Sequence, residues 1–379
     1  MYARETLVNF RWISRLFAHK SPITLVESDR VPLTLAMELS SLGQFAELAY
    51  TTVPLTFVLD NIPALSAPHF PLEGYDAFPG TILIASTRGK VADVQAYVAY
   101  RPAKRQLIAA VSGTANLSQT LQDLRFSKHA YHNHAERKGR VHKGFWKMFK
   151  GIRPFVLESL KSAQTEYDVD ELVLTGHSMG ATLSYLIAME VLTTDNIIPD
   201  GMRIKIAAFG PPRAGDEALA DYWNELVAAY RAKHGEDALC DWTVKGYNDG
   251  VPAIPPTYLG YRHFCRAPLY FCHGKLYHVP PSESEHALFD VASTSIPPDP
   301  VLHPRGGHNY YNDRDLEKSF RRMQWLDKVM GKKGVGWEDL YLKSVAKHER
   351  DTSRSVSEQP LAGSSVSGAS SSSTPSGLP

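Results

Sequence analysis

Gly176-His177-Ser178-Met179-Gly180 constrains this chain more than any other stretch. It follows a short β-branched run, Glu171-Leu172-Val173-Leu174-Thr175, and precedes Ala181 to Leu192, where apolar residues recur at helical spacing. Strand, sharp turn and helix therefore meet at Ser178. A G-x-S-x-G turn in that context holds a serine on a strained bend with its hydroxyl exposed, and the flanking glycines let strand and helix pack closely around it.

Helices and strands alternate on both sides of this point. Leu33 to Thr52 reads as a helix, with Leu35, Leu39, Leu42, Phe45, Ala46 and Ala49 at its spacing. The Pro- and Gly-rich residues up to Gly80 read as loop. Strand-like runs follow at Thr81 to Thr87, Val94 to Tyr100 and Gln106 to Val111. Arg125 to His142, polar and basic, reads as a solvated loop; its histidines lack the carboxylates or cysteines of a metal site. Phe145 to Ala163 is a core-facing helix that Pro154 should kink or divide. Ile204 to Phe209 and Trp242 to Gly246 are strands, Glu217 to Tyr230 and Asp313 to Lys328 helices, and Val251 to Pro304 resolves into no clear elements. This alternation predicts an α/β fold with a central, mostly parallel sheet flanked by helices. Residues 1–80 form an N-terminal helical and loop segment packed on the domain, 81–350 the domain itself, and 351–379 a Ser-rich tail too poor in large apolar side chains to bury a core.

The balance of charge excludes some function classes. A net charge of +1 gives no basic footprint for nucleic acid. Cys240, Cys265 and Cys272 lack the spacing of a disulfide framework or a zinc site, so no metal or other cofactor is expected. No apolar run reaches the ~18 residues of a membrane span, and Met1 to Lys20 does not read as a signal peptide. These features predict a cytoplasmic protein, with peripheral association to a membrane or lipid-droplet surface left open.

A serine hydroxyl needs an imidazole to take its proton and a carboxylate to steady that imidazole. In G-x-S-x-G folds of this kind these follow in the order Ser, acid, His. Asp249, just beyond the strand Trp242 to Gly246, stands where parallel sheets gather functional groups; Asn248-Asp249-Gly250 is equally typical of a plain turn. Among later histidines, His308 lies in a flexible loop before the last helix, with His303 a rival and His263 a further candidate. Ser112-Gly113-Thr114 ends a strand and leads into a short helix from Asn116, with Leu117, Leu121 and Leu124 on one face, which suits an oxyanion loop followed by a lid.

At this point the chain resembles the class 3 lipase family, the fungal triacylglycerol lipases and their relatives, from about Thr81 to Met330. Thr175 to Ala181 is similar to the family's T-G-H-S-L-G-G and Val141 to Phe145 to its V-H-x-G-F. Phe209 to Gly215 is similar to F-G-x-P-R-x-G, Asp249 to Pro256 to D-x-V-P-x-L-P-P, and His308 with Tyr311 to H-x-x-Y. The resemblance implies an α/β-hydrolase fold with a short helical lid and a triad of Ser178, Asp249 and His308. It implies an oxyanion hole from Thr114 and the Met179 backbone, with Leu117, Leu121 and Leu124 meeting lipid. The implied activity is hydrolysis of tri- or diacylglycerol esters, or of another lipid or small ester substrate such as a phospholipid or soluble ester. A catalytically inactive lipid- or partner-binding homologue is the alternative of another class.

Overall fold

The computed structural model describes residues 9–91, 93–113, 126–292, 302–330 and 336–357. The elements run α1 (Arg11–Phe17), β1 (Lys20–Leu25), α2 (Leu33–Leu48), α3 (Leu55–Asp60), α4 (Ile62–Leu65), β2 (Ile82–Arg88), β3 (Gln95–Arg101) and β4 (Gln106–Val111). They continue with β5 (Lys128–Asn133), β6 (Glu136–His142), α5 (Lys143–Glu166), β7 (Glu171–His177), α6 (Met179–Thr193), β8 (Arg203–Phe209), α7 (Glu217–His234) and β9 (Leu239–Gly246). Beyond these lie β10 (Leu269–Cys272), β11 (Lys275–His278), β12 (Leu288–Val291), α8 (Leu316–Met330) and α9 (Trp337–Ser357). Residues 1–327 form one compact unit and 328–379 a second.

Among the described residues the main sheet has eight strands in the order β11-β10-β9-β8-β7-β4-β3-β2. Neighbours from β4 to β10 run parallel, and β2, β3 and β11 close the two edges antiparallel. Every residue of β4 and of β7 is buried, which is why both read as unbroken apolar runs: helices cover a parallel sheet on both faces. The period of two sorts their side chains. Ala96, Val98, Leu107, Ala109, Leu172, Leu174, Ile204 and Ile206 share one core with α5, α6 and α7. Tyr97, one step out of phase, donates its hydroxyl to the Phe45 carbonyl of α2 at 2.7 Å on the other face.

Several stretches differ from their sequence reading. Two short helices, α3 and α4, interrupt the Pro-rich stretch before β2. Residues 128–142 are a β-hairpin rather than a solvated loop, because Tyr131 and Val141 bury against α5 and give the polar strands one apolar anchor each. Two of its histidines have structural partners: His129 stacks on Trp146 at 5.8 Å, and His142 caps α5 by accepting from the Gly144 N–H at 3.1 Å. Pro154 lies inside α5 without dividing it. Helix α9 extends beyond residue 350 to Ser357, and the rest of the tail lies outside the described residues.

A buried ion pair ties α2 to the stretch that follows His308. Arg314 donates through Nε and Nη2 to Glu47 at 2.8–3.0 Å and through Nη1 to Ser40, while Tyr75 donates to Glu47 at 2.6 Å. Both charged side chains are nearly inaccessible, so truncating one strands the other. Glu47→Ala is expected to lower stability by about 3 kcal/mol, read from urea unfolding; an unchanged midpoint would contradict it.

Burial alone pushes the His142 imidazole down to about 4. A histidine kept neutral in the fold but protonated at about 6.5 when unfolded withdraws stability as pH falls from about 6.5 to 4, and the loss levels off below that. His142→Asn keeps a cap acceptor and removes the titration. Between about pH 7 and pH 4.5 it is expected to spare about 2 kcal/mol of acid destabilisation, measured by urea unfolding at both values.

Candidate active site

Ser178 follows the last residue of β7 and opens α6 with φ 61° and ψ −129°. An L-residue reaches that conformation only under surrounding constraint. The constraint is close packing: a Cβ on Gly176 would collide with the Gly180 backbone, and one on Gly180 with the Val111 carbonyl of β4. The Ser178 N–H donates to the Phe209 carbonyl of β8 at 2.8 Å, which pins the bend to the neighbouring strand.

The Met179 N–H sits in the first turn of α6, where helical N–H groups have no partner within the helix and the dipole is positive, a setting that favours a developing anion. Gly113 lies against the elbow, since a Cβ there would approach Ser178 Cβ to 3.1 Å. Ser112 is anchored by its own two bonds. Its N–H donates to the Gln95 carbonyl at 2.8 Å, and its Oγ accepts from the Gln95 N–H at 2.9 Å. Thr114, Leu117, Leu121 and Leu124 fall outside the described residues.

The acid and base candidates meet. Asp249 follows β9, and its Oδ2 lies 2.9 Å from His308 Nδ1, with both side chains buried. The same oxygen accepts from the Tyr311 hydroxyl at 2.6 Å, and Oδ1 accepts from the Val251 N–H at 2.8 Å. Tyr311 in turn accepts from the Gly246 N–H at 2.9 Å. Burial, reinforced by the Asp249 charge, raises the Tyr311 hydroxyl pKa well above its ordinary value, so it remains a donor. An Nδ1–H held by a carboxylate leaves Nε2 free to accept a proton. Among the described residues, Ser178 Oγ and His308 Nε2 are both buried without a hydrogen-bond partner, so their mutual bond is not closed here. Catalytic bonds of this type often tighten only when substrate binds.

The rivals lie elsewhere. His263 Nε2 is 2.9 Å from the Pro252 carbonyl, and His303 stacks on Tyr310 at 4.6 Å. Residues to which sequence reasoning gave no role do reach the base. The His308 N–H donates to the Asn9 carbonyl at 2.8 Å, Phe10 packs edge-on to its ring at 5.5 Å, and Arg11 donates to the Gly306 carbonyl at 2.9 Å.

The family described as Lipase (class 3) matches residues 108–257, from β4 through the elbow and Asp249. Over that segment, about two fifths of the chain, this protein is similar to the class 3 lipases. Two relatives are the secreted mono- and diacylglycerol lipase 1 of Fusarium solani, 26% identical over 48% of this chain and 49% of that protein, and the secreted mono- and diacylglycerol lipase A of Penicillium cyclopium, 32% identical over 32% of this chain and 34% of that protein. The matches thus span half or less of these relatives' length. Among solved structures, lipase II from Rhizopus niveus superposes with a TM-score of 0.58 at 17% identity, over 76% of this chain and 98% of that one. The α/β-hydrolase fold expected from the sequence is therefore borne out. A cytoplasmic location is not upheld: the matched relatives are named as secreted proteins.

Tyr311→Phe removes one donor from the buried Asp249 and the acceptor of the Gly246 N–H. It is expected to cost about 2 kcal/mol of stability, read from the urea midpoint; a neutral effect would show that Asp249 does not depend on the tyrosine.

Proposed function

We propose that this protein is a class 3 lipase, a serine ester hydrolase acting on acylglycerols. The observation that carries the reading is the buried Asp249–His308 pair, followed by a strained serine elbow whose helix offers the Met179 N–H. In the proposed reaction Ser178 Oγ attacks the acyl carbonyl as its proton passes to His308 Nε2. The Met179 N–H, with Thr114 as second donor, holds the oxyanion; such donors are worth about 3 kcal/mol each in the transition state. Collapse expels the glyceride alcohol with the proton from His308. Water then repeats the sequence on the acyl-enzyme and releases a carboxylic acid. Asp249 fixes the His308 tautomer and stabilises its charged form.

The relatives' names favour mono- and diacylglycerols as substrates and an extracellular site of action. Work at a lipid surface is supported by exposed Phe126 and Tyr258. The strand after Phe126 and the turn holding Tyr258 are joined where Lys128 Nζ donates to the Leu259 and Gly260 carbonyls. Leu117, Leu121 and Leu124 would add the lid's apolar face.

Hydrolysis of mono-, di- and trioleoylglycerol and of a phospholipid by wild type and Ser178→Ala tests the reading. Wild type is expected to prefer the glycerides, and the variant to lose at least about 10⁴-fold in kcat. Glyceride turnover by Ser178→Ala at the wild-type rate would overturn it.

A further inference from the structure

His177, the variable residue inside the elbow motif, is buried and bonded at both ring nitrogens. Its Nε2 lies 2.8 Å from the His308 carbonyl, and its Nδ1 lies 2.9 Å from the Tyr50 hydroxyl. A carbonyl oxygen can only accept, so Nε2 carries the proton and Nδ1 is left as an acceptor for the Tyr50 hydroxyl at 2.9 Å, a hydroxyl that also reaches the His177 carbonyl at 3.2 Å. The Tyr50 oxygen also faces the Gly113 backbone N–H on the oxyanion side. The rings of His177 and His308 stand 4.4 Å apart. Four chain segments that are distant in sequence are thereby joined through one imidazole: the end of α2, the loop after β4, the elbow and the base loop.

We propose that His177, held in its Nε2–H tautomer by Tyr50, is a positioning residue that sets His308 and the Gly113 loop in register on either side of Ser178. The inference rests on the hydrolase reading and adds to it a residue that neither transfers a proton nor touches substrate. A charged His177 would lose this arrangement, because a second ring proton removes the Nδ1 acceptor to which Tyr50 donates. Burial pushes the His177 pKa well below its ordinary value, which keeps the ring neutral. On its other side, the His308 backbone N–H is held by Asn9, so both main-chain polar groups of the base are bonded to parts of the fold outside its own loop.

The test compares wild type, Tyr50→Phe, His177→Phe and His177→Gln, each corrected for its folded fraction, on p-nitrophenyl butyrate. Loss of one buried bond is expected to lower kcat about tenfold in Tyr50→Phe, with KM unchanged. His177→Phe, which loses both bonds, should fall about a hundredfold, and His177→Gln, which retains a donor and an acceptor, should recover part of that. A residue that only stabilises the fold would lower the melting temperature and leave kcat of the folded fraction at the wild-type value, which would overturn the proposal. The ¹⁵N spectrum of the His177 ring is a second, activity-independent reading: a protonated Nε2 and bare Nδ1 are expected near neutral pH, and the opposite tautomer contradicts the proposal. A wild type that hydrolyses no ester would instead count against the hydrolase reading, whatever the spectrum shows.

Discussion

A carboxylate sealed from water persists as an anion only where donors replace its hydration, and Asp249 has three: the Val251 N–H, the Tyr311 hydroxyl and His308 Nδ1. One donor comes from the turn after β9 and two from the loop before α8. The carboxylate therefore fixes where that loop lies, and with it which nitrogen of His308 is left to face the elbow. The frame is braced in turn by Arg314 on Glu47 of α2 and by the Asn9 carbonyl on the base. The surroundings of Ser178 and His308 thus depend on packing more than a hundred residues away in sequence, from both ends of the first unit.

The elbow was legible in the sequence because its determinants are local. Glycines two positions either side of Ser178, a buried strand before and an apolar helix after are all contiguous, and the close approaches at Gly176 and Gly180 explain why nothing larger fits. Asp249 was less legible, since an Asn-Asp-Gly turn looks the same whether or not a histidine waits beside it. Only the family pattern separated those readings, and the Asp249–His308 bond agrees with it. The hairpin at 128–142 was misread because its strands bury few side chains among many charges, so the period of two is nearly invisible. Asn9, Tyr50 and His177 escaped for another reason: their partners lie 299, 127 and 131 positions distant, and no local pattern encodes such pairings.

Departures from the family pattern are absorbed without disturbing the elbow. The Met179 side chain packs in the core, while its backbone N–H remains in the first turn of α6. Ser112 extends the pairing of β3 and β4 with its own hydroxyl, which supplies the loop with a short, buried anchor. The N-terminal residues from Asn9 onward belong to the base's surroundings, so the working unit is larger than the segment shared most clearly with the curated relatives.

The central claim is that Ser178 is a nucleophile activated by His308. Its most direct measurement is mass-spectrometric mapping of the covalent adduct formed with a fluorophosphonate, for wild type and His308→Ala. The account predicts one phosphonyl group on the peptide carrying Ser178 in the wild type and labelling slowed by at least about a hundredfold in the variant. A folded wild type that stays unlabelled, or a Ser178 that reacts equally fast without His308, would contradict it.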